Sequence, residues 1–197
     1  VIVPLEVGLA TSAHAAQTFA VLREHFLNRW GMKHTVGNDE RVWTLPTATL
    51  SRAAYRYGEK ELGTVMLKHI TDTLEHGGIG LFHELIPEGA CIIQLWSAAI
   101  LVRGVIEDLL GITVNASEHR LSVDPQLPDA WTSAALERLA FGDHLVTVRI
   151  SRRTLEVEHL AGSAALNVTA GGQQRILKAG ERSVVYISGN SDIDKPI

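Results

Sequence analysis

Two carboxylates and two histidines fall within one glycine-broken stretch, His76-Gly77-Gly78-Ile79-Gly80-Leu81-Phe82-His83-Glu84-Leu85-Ile86-Pro87-Glu88-Gly89. Glycine and proline at this density mark a loop, and polar chemistry concentrates on loops held by rigid elements. Cleaving a glycosidic bond takes a pair of carboxyl groups, one protonating the leaving oxygen and one acting as base or nucleophile. Glu84 and Glu88 are of the right type. Both also fit a plainer role as solvated loop charges, or one of them as a cap on the helix that follows.

A second polar stretch, Trp30-Gly31-Met32-Lys33-His34-Thr35-Val36-Gly37-Asn38-Asp39-Glu40-Arg41-Val42-Trp43, also joins two helices. Trp30 and Trp43 offer flat faces on which a sugar ring can stack, and Asp39, Glu40 and Arg41 can bind hydroxyls. The alternative is two core tryptophans beside a solvated turn. For Trp30, which ends an amphipathic run, core packing fits better, and so it does for Trp96.

Other chemistries fit poorly. His76 and His83 have no third ligand at metal spacing, so no metal site is expected. Gly77-Gly78-Ile79-Gly80 lacks both a preceding strand and the lysine of a phosphate loop. Ser97 has no flanking elbow glycines, and Cys91 lies in an apolar stretch that reads as a buried, inert thiol. No cofactor is called for.

The elements that must position these residues show in the periodicity. Apolar residues recur at helical spacing from Ala10 to Trp30, from Thr44 to Gly58 with Pro46 in the first turn, from Glu59 to Glu75 before Gly77-Gly78, and from Gln94 to Leu110. The last of these is apolar nearly all round, which predicts a buried helix. After Gly111 the period becomes two. Strands are predicted at 120–124, 145–150, 154–160, 165–169 and 183–187, with a polar tail from Ser188. The expected division is 1–112 helical and 113–197 an antiparallel β-sandwich.

Hydrophobic residues at 46% and charged residues at 20% give the balance of a core-forming soluble chain. Eighteen Lys and Arg against 22 Asp and Glu leave a net charge of −4 without a basic run, so neither nucleic acid nor an anionic membrane is an expected partner. No signal peptide or spanning segment is expected, and the cytoplasm is the favoured compartment. The Val1-Ile2-Val3-Pro4 start suggests a trimmed product of a longer sequence.

The order of motifs resembles a known family. Val42-Trp43-Thr44-Leu45-Pro46-Thr47, then Tyr55-Arg56-Tyr57-Gly58, then His83-Glu84-Leu85-Ile86-Pro87-Glu88-Gly89 before Gln94-Leu95-Trp96-Ser97-Ala98-Ala99 is similar to the closing helices of the six-hairpin glycosidases. The likeness is nearest to the glycogen-debranching, amylo-α-1,6-glucosidase-like branch. Leu109-Leu110-Gly111-Ile112 and Pro125-Gln126-Leu127-Pro128-Asp129-Ala130-Trp131 resemble the passage into the β-domain of such enzymes. The resemblance implies an α+β chain, the last hairpins of an (α/α)6 barrel followed by the sandwich.

It also implies an inverting mechanism, with Glu84 as general base, Glu88 in reserve, and a partner acid about 6.5–9.5 Å away. Trp43, His34, Glu40, His83 and Gln94 are the expected contacts to a carbohydrate substrate. The general acid of the family belongs to an earlier hairpin with no counterpart here, so the chain alone is expected to be inactive. Its partner is then the remainder of the barrel, or a second copy through self-association. A carbohydrate-binding or assembly module and a sugar phosphorylase are the alternatives.

Overall fold

The computed structural model describes residues 2–37, 39–74, 76, 80–87 and 89–187. Glu88, the Gly77-Gly78 helix stop and the polar tail lie outside the described residues. The chain divides into two compact units, Val1–Leu109 and Leu110–Ile197.

In the first unit a single helical turn, α1 (Val3–Glu6), precedes α2 (Ser12–His25). Thr11 caps α2, its hydroxyl oxygen accepting from the His14 N–H at 3.3 Å. The helix expected to reach Trp30 stops at His25. Leu27–Asn28 (β1) folds back on Gly31–Met32 (β2), and Asn28 Oδ1 takes the Trp30 N–H at 2.9 Å, an alternative to the helical bond. Val42–Trp43 (β3) then runs directly into α3 (Thr44–Arg56).

Helix α3 is buried at every position from Thr47 to Tyr55. Its small residues let neighbours approach: Ser51 Oγ donates to the Gly63 carbonyl at 2.8 Å, and a Cβ on Gly63 would meet the Tyr55 ring at 2.7 Å. Gly63 belongs to α4 (Lys60–Asp72). Phe19 and Leu22 of α2, Leu50 and Ala53 of α3, and Leu62 and Met66 of α4 share one core cluster. A Phe, Leu or Met side chain buried there contributes roughly 1.5–3 kcal/mol. Arg52 is the charged exception, held by Asp108 and Glu107 at 3.0 Å each and Glu6 at 3.8 Å. Burial pushes the Asp108 carboxyl up in spite of the Arg52 charge.

Leu85–Ile86 (β4) pairs antiparallel with β3, and α5 (Leu95–Arg103) continues as a π-helical turn over Gly104–Leu109. The apolar run of α5 predicts burial all round, and the structure corrects this. Ala98, Ile100 and Leu101 pack on Ala48, Ile70 and Phe82, but Leu95 is 74% and Trp96 69% exposed. Ile92, Ile93 and Val102 are exposed as well, so Trp96 is no core residue of this unit, and Cys91 is exposed rather than buried. The helix has two apolar faces, and described residues cover one of them.

The second unit consists of β5 (Ile112–Asn115), β6 (Arg120–Val123), β7 (Ser133–Phe141), β8 (His144–Ser151), β9 (Thr154–Ala161), β10 (Leu166–Ala170), β11 (Gln173–Leu177) and β12 (Arg182–Tyr186). They form two four-stranded sheets, ordered β11-β10-β6-β5 and β12-β9-β8-β7. Among the described residues the pairings are antiparallel except β6 with β10, which is parallel. Each sheet buries alternate residues, Leu121, Val123, Leu166 and Val168 in one, Val146, Val148, Leu155 and Val157 in the other.

Strands β5, β7 and β11 are absent from the periodicity reading. β7 breaks its alternation at a register shift between Leu136 and Leu139, where Arg138 has φ 57°, and β11 is polar along most of its length. Gly171 and Gly172, both at positive φ, make the two-residue turn from β10 to β11. Among the described residues no helix is long and apolar enough to cross a membrane.

Candidate functional site

The glutamate loop and the start of α3 are tied together by backbone. Trp43 pairs with Leu85 and Val42 with Ile86. Glu84 is held from both sides, its N–H donating to the Cys91 carbonyl at 2.9 Å and its carbonyl accepting from the Thr44 N–H at 3.1 Å. The Thr44 hydroxyl donates to the His83 carbonyl at 2.6 Å and lies 2.7 Å from Ser97 Oγ. Ser97 in turn bonds Gln94 Oε1, while the Gln94 N–H donates to the Phe82 carbonyl at 2.8 Å. Trp43, His83, Glu84 and Gln94 thus belong to one bonded frame.

Within that frame the polar side chains are differently served. The Glu84 side chain is half-buried, and its carboxylate makes no hydrogen bond or ion pair among the described residues. His83 is only 7% exposed, yet neither ring nitrogen has a hydrogen-bond partner among the described residues, and the same holds for Trp43 Nε1. Gly89 makes room for the imidazole: a Cβ there would fall 2.3 Å from His83 Nδ1. Unpartnered buried polar atoms are costly and rare, and they concentrate where another molecule binds.

His34 and Glu40 belong to a separate ionic cluster in the 33–41 loop. The Arg41 guanidinium grips Asp39 through bonds of 2.9, 3.2 and 2.6 Å, and these, with the Arg41 N–H at 3.0 Å, hold the Asp39 carboxyl well below the usual carboxylate range. His34 Nε2 lies 3.6 Å from Asp39. Glu40 accepts from Asn28 and faces Lys33 at 3.4 Å, and that bond and that charge lower its pKa. No hydrogen bond or ion pair between described residues joins His34 or Glu40 to the Glu84 frame. Trp30 is half-buried, with Arg29 over its ring at 4.8 Å and His76 edge-on at 4.7 Å. The open groove lined by Arg23, Leu27, Met66 and His69 includes none of the frame residues.

The second unit brings together residues that the periodicity reading leaves unremarked. His119 Nδ1 lies 2.9 Å from His144 Nε2, and His144 Nδ1 lies 3.0 Å from His159 Nε2. His159 Nδ1 lies 3.1 Å from the Leu177 carbonyl. Burial pushes the His144 imidazole down against the pull of Asp143, while hydrogen bonds from Ser163 hold Asp143 down at about 2. The signal available in the sequence is that His144 and His159 occupy inward positions of otherwise apolar alternation. Their meeting depends on topology alone.

Comparison with known proteins adds two findings. Residues 115–177 match the family model for glycosyl hydrolase family 65, C-terminal domain. The chain is similar in fold to a putative kojibiose phosphorylase from human microbiome, with a TM-score of 0.52 and 13% identity over 75% of this chain and 20% of that one. The chain therefore spans about a fifth of the length of that structure. No curated protein matches the chain. The family likeness is carried by residues 115–177 of the second unit, and the likeness to the solved structure is one of fold.

Proposed function

We propose that this chain is the C-terminal portion of an inverting, glycogen-debranching-like glycoside hydrolase acting on an α-linked glucan or related oligosaccharide. Glu84 is the base that activates the attacking water. The carrying observation is a half-buried carboxylate on a backbone fastened from both sides, with its oxygens free of partners among the described residues. Such a group keeps its lone pairs for an outside molecule and loses little freedom on binding it. Trp43, His83 and Gln94 are the nearer sugar contacts, His34 and Glu40 the outer ones, and Glu88 the reserve base. The acid comes from the earlier part of an (α/α)6 barrel, whose packing against Leu95, Trp96 and Val102 accounts for the uncovered face of α5.

The test is Glu84→Gln in a polypeptide that includes the rest of the barrel. Turnover should fall by about 10²–10⁴-fold, the range general acid–base catalysis supplies, with an unchanged melting curve. Near-normal turnover sinks the assignment.

A second reading is phosphorolysis, in which phosphate takes the place of water. It draws support from the name of the similar structure, a putative kojibiose phosphorylase, and from His83, whose two ring nitrogens have no partner among the described residues and can meet a phosphate oxygen. Measuring turnover with and without inorganic phosphate separates the two: a sugar phosphate formed only with phosphate supports phosphorolysis, and undiminished cleavage in phosphate-free buffer excludes it.

A further inference from the structure

We propose that His119, Asp143 and His144 form a binding site for a divalent first-row transition cation of the zinc class, oriented by His159 and Ser163. Three separate pieces of the second unit converge there. His119 ends the 3-10 turn between β5 and β6, Asp143 comes from the two-residue turn between β7 and β8, His144 opens β8, and His159 comes from β9. His119 Nδ1 is 2.9 Å and Asp143 Oδ1 3.5 Å from His144 Nε2, and the three ligand atoms all lie within 4.8 Å of one another. Ligand atoms bound to one tetrahedral zinc at about 2.0–2.1 Å stand about 3.3 Å apart, a spacing that the two contacts to His144 Nε2 bracket at 2.9 and 3.5 Å.

The protonation pattern follows from the far end of the histidine row. A carbonyl only accepts, so His159 Nδ1 carries the proton toward Leu177 and His159 Nε2 keeps its lone pair. His144 Nδ1 must then donate to His159, which leaves His144 Nε2 as a lone pair aimed at His119 and Asp143. An imidazole with one nitrogen anchored through a hydrogen-bond chain to a backbone carbonyl and the other free is the arrangement metal-binding histidines use. The main chain passes against this bond at Gly162, where a Cβ would lie 2.6 Å from His159 Nε2 and 2.7 Å from His144 Nδ1.

Asp143 is oriented in the same way. Its Oδ2 accepts from the Ser163 N–H at 2.7 Å and from the Ser163 hydroxyl, leaving Oδ1 for the histidines. His119 is half-buried and Asp143 exposed, so the site borders solvent, which can supply a water as fourth ligand. When the cation binds, the His119 proton moves from Nδ1 to Nε2 through solvent, and the cation takes the position that proton held between the two rings. A row serving only to satisfy buried His144 requires none of the orientation at Asp143.

Zn²⁺ alone is the probe, added to the 197-residue chain and followed by calorimetry and by elemental analysis after dialysis. The expected result is one Zn²⁺ per chain, binding at least tenfold weaker in His119→Ala and in Asp143→Asn and unchanged in His25→Ala, which alters an exposed histidine elsewhere. Folding of each variant is checked by circular dichroism. Should a site variant fail to fold, Zn²⁺ titration of the unmodified chain by ¹⁵N ring NMR decides, with stoichiometric shifts expected at His119 and His144. Absence of stoichiometric uptake, equal affinity in folded His119→Ala and Asp143→Asn, or unshifted ring signals each overturn the site. The result is independent of Glu84.

Discussion

The glutamate loop and the histidine row both withdraw imidazoles from water, and they provide for them in opposite ways. His83 is buried with neither nitrogen bonded to a described residue, whereas His144 and His159 pass a hydrogen bond along to the Leu177 carbonyl. A buried polar group without a partner costs about 1–3 kcal/mol, a cost that a bound molecule can offset. On our reading the first region is shaped for a substrate, and the second is satisfied internally except at its His119 end. Polar burial thus distinguishes a receiving surface from an orienting scaffold.

Substitutions can sharpen or break that contrast. The largest expected effect is the 10²–10⁴-fold loss of turnover on Glu84→Gln, since a base contributes to the transition state and hardly to folding. Next comes His159→Leu, which strands the His144 Nδ1 proton and the Leu177 carbonyl in the core. It should destabilise the second unit by about 1–3 kcal/mol, with the melting transition falling roughly 4–8 °C per kcal/mol.

His83→Leu is the matched counterpart. It removes polar atoms that have no partner among the described residues, so the stability of the first unit should hold within about 0.5 kcal/mol while sugar or phosphate binding is lost. A destabilisation as large as that of His159→Leu would erase the distinction. The smallest effect is confined to alkaline solution. Burial pushes the Tyr55 phenol up to about 12, against its hydrogen bond with Thr64. The unfolded chain therefore loses this proton near pH 10 while the folded chain keeps it, and stability falls as pH rises from about 10 to 12. Tyr55→Phe should flatten that part of a melting-temperature profile, beside a pH-independent loss of about 0.5–1.5 kcal/mol from the missing Thr64 bond.

Much of the frame was legible in the residues. Leu50, Ala53, Ala54, Leu62 and Met66 fall on helical spacing and form the core that the spacing implies. Val146, Val148, Leu155 and Val157 alternate as half-buried strands do. The errors have physical sources. Helix α5 carries apolar residues on both faces, and a sequence cannot say which face finds a partner within the same chain. The first long helix was overrun because Asn28 offers the backbone a competing bond that periodicity does not register. Glu84 was legible as a loop carboxylate, but that the nitrogens of His83 and Trp43 find no partner among the described residues appears only in three dimensions. The histidine row was invisible because only the pairing of β7, β8 and β9 and the β5–β6 turn bring its members together.

The parallel pairing of β6 with β10 has a consequence for the order in which the second unit can assemble. The strands of the β7-β8-β9 meander are joined by two-residue turns, so each meets its neighbour as soon as both exist. β6 pairs with β5 early but must wait for β10, since Arg120 is matched to Asn167 across that whole meander. Closing so long a loop is slow relative to forming hairpins. During synthesis the β5–β6 hairpin therefore emerges with one edge open, and the sheet to which it belongs is completed only when β10 arrives behind a finished meander.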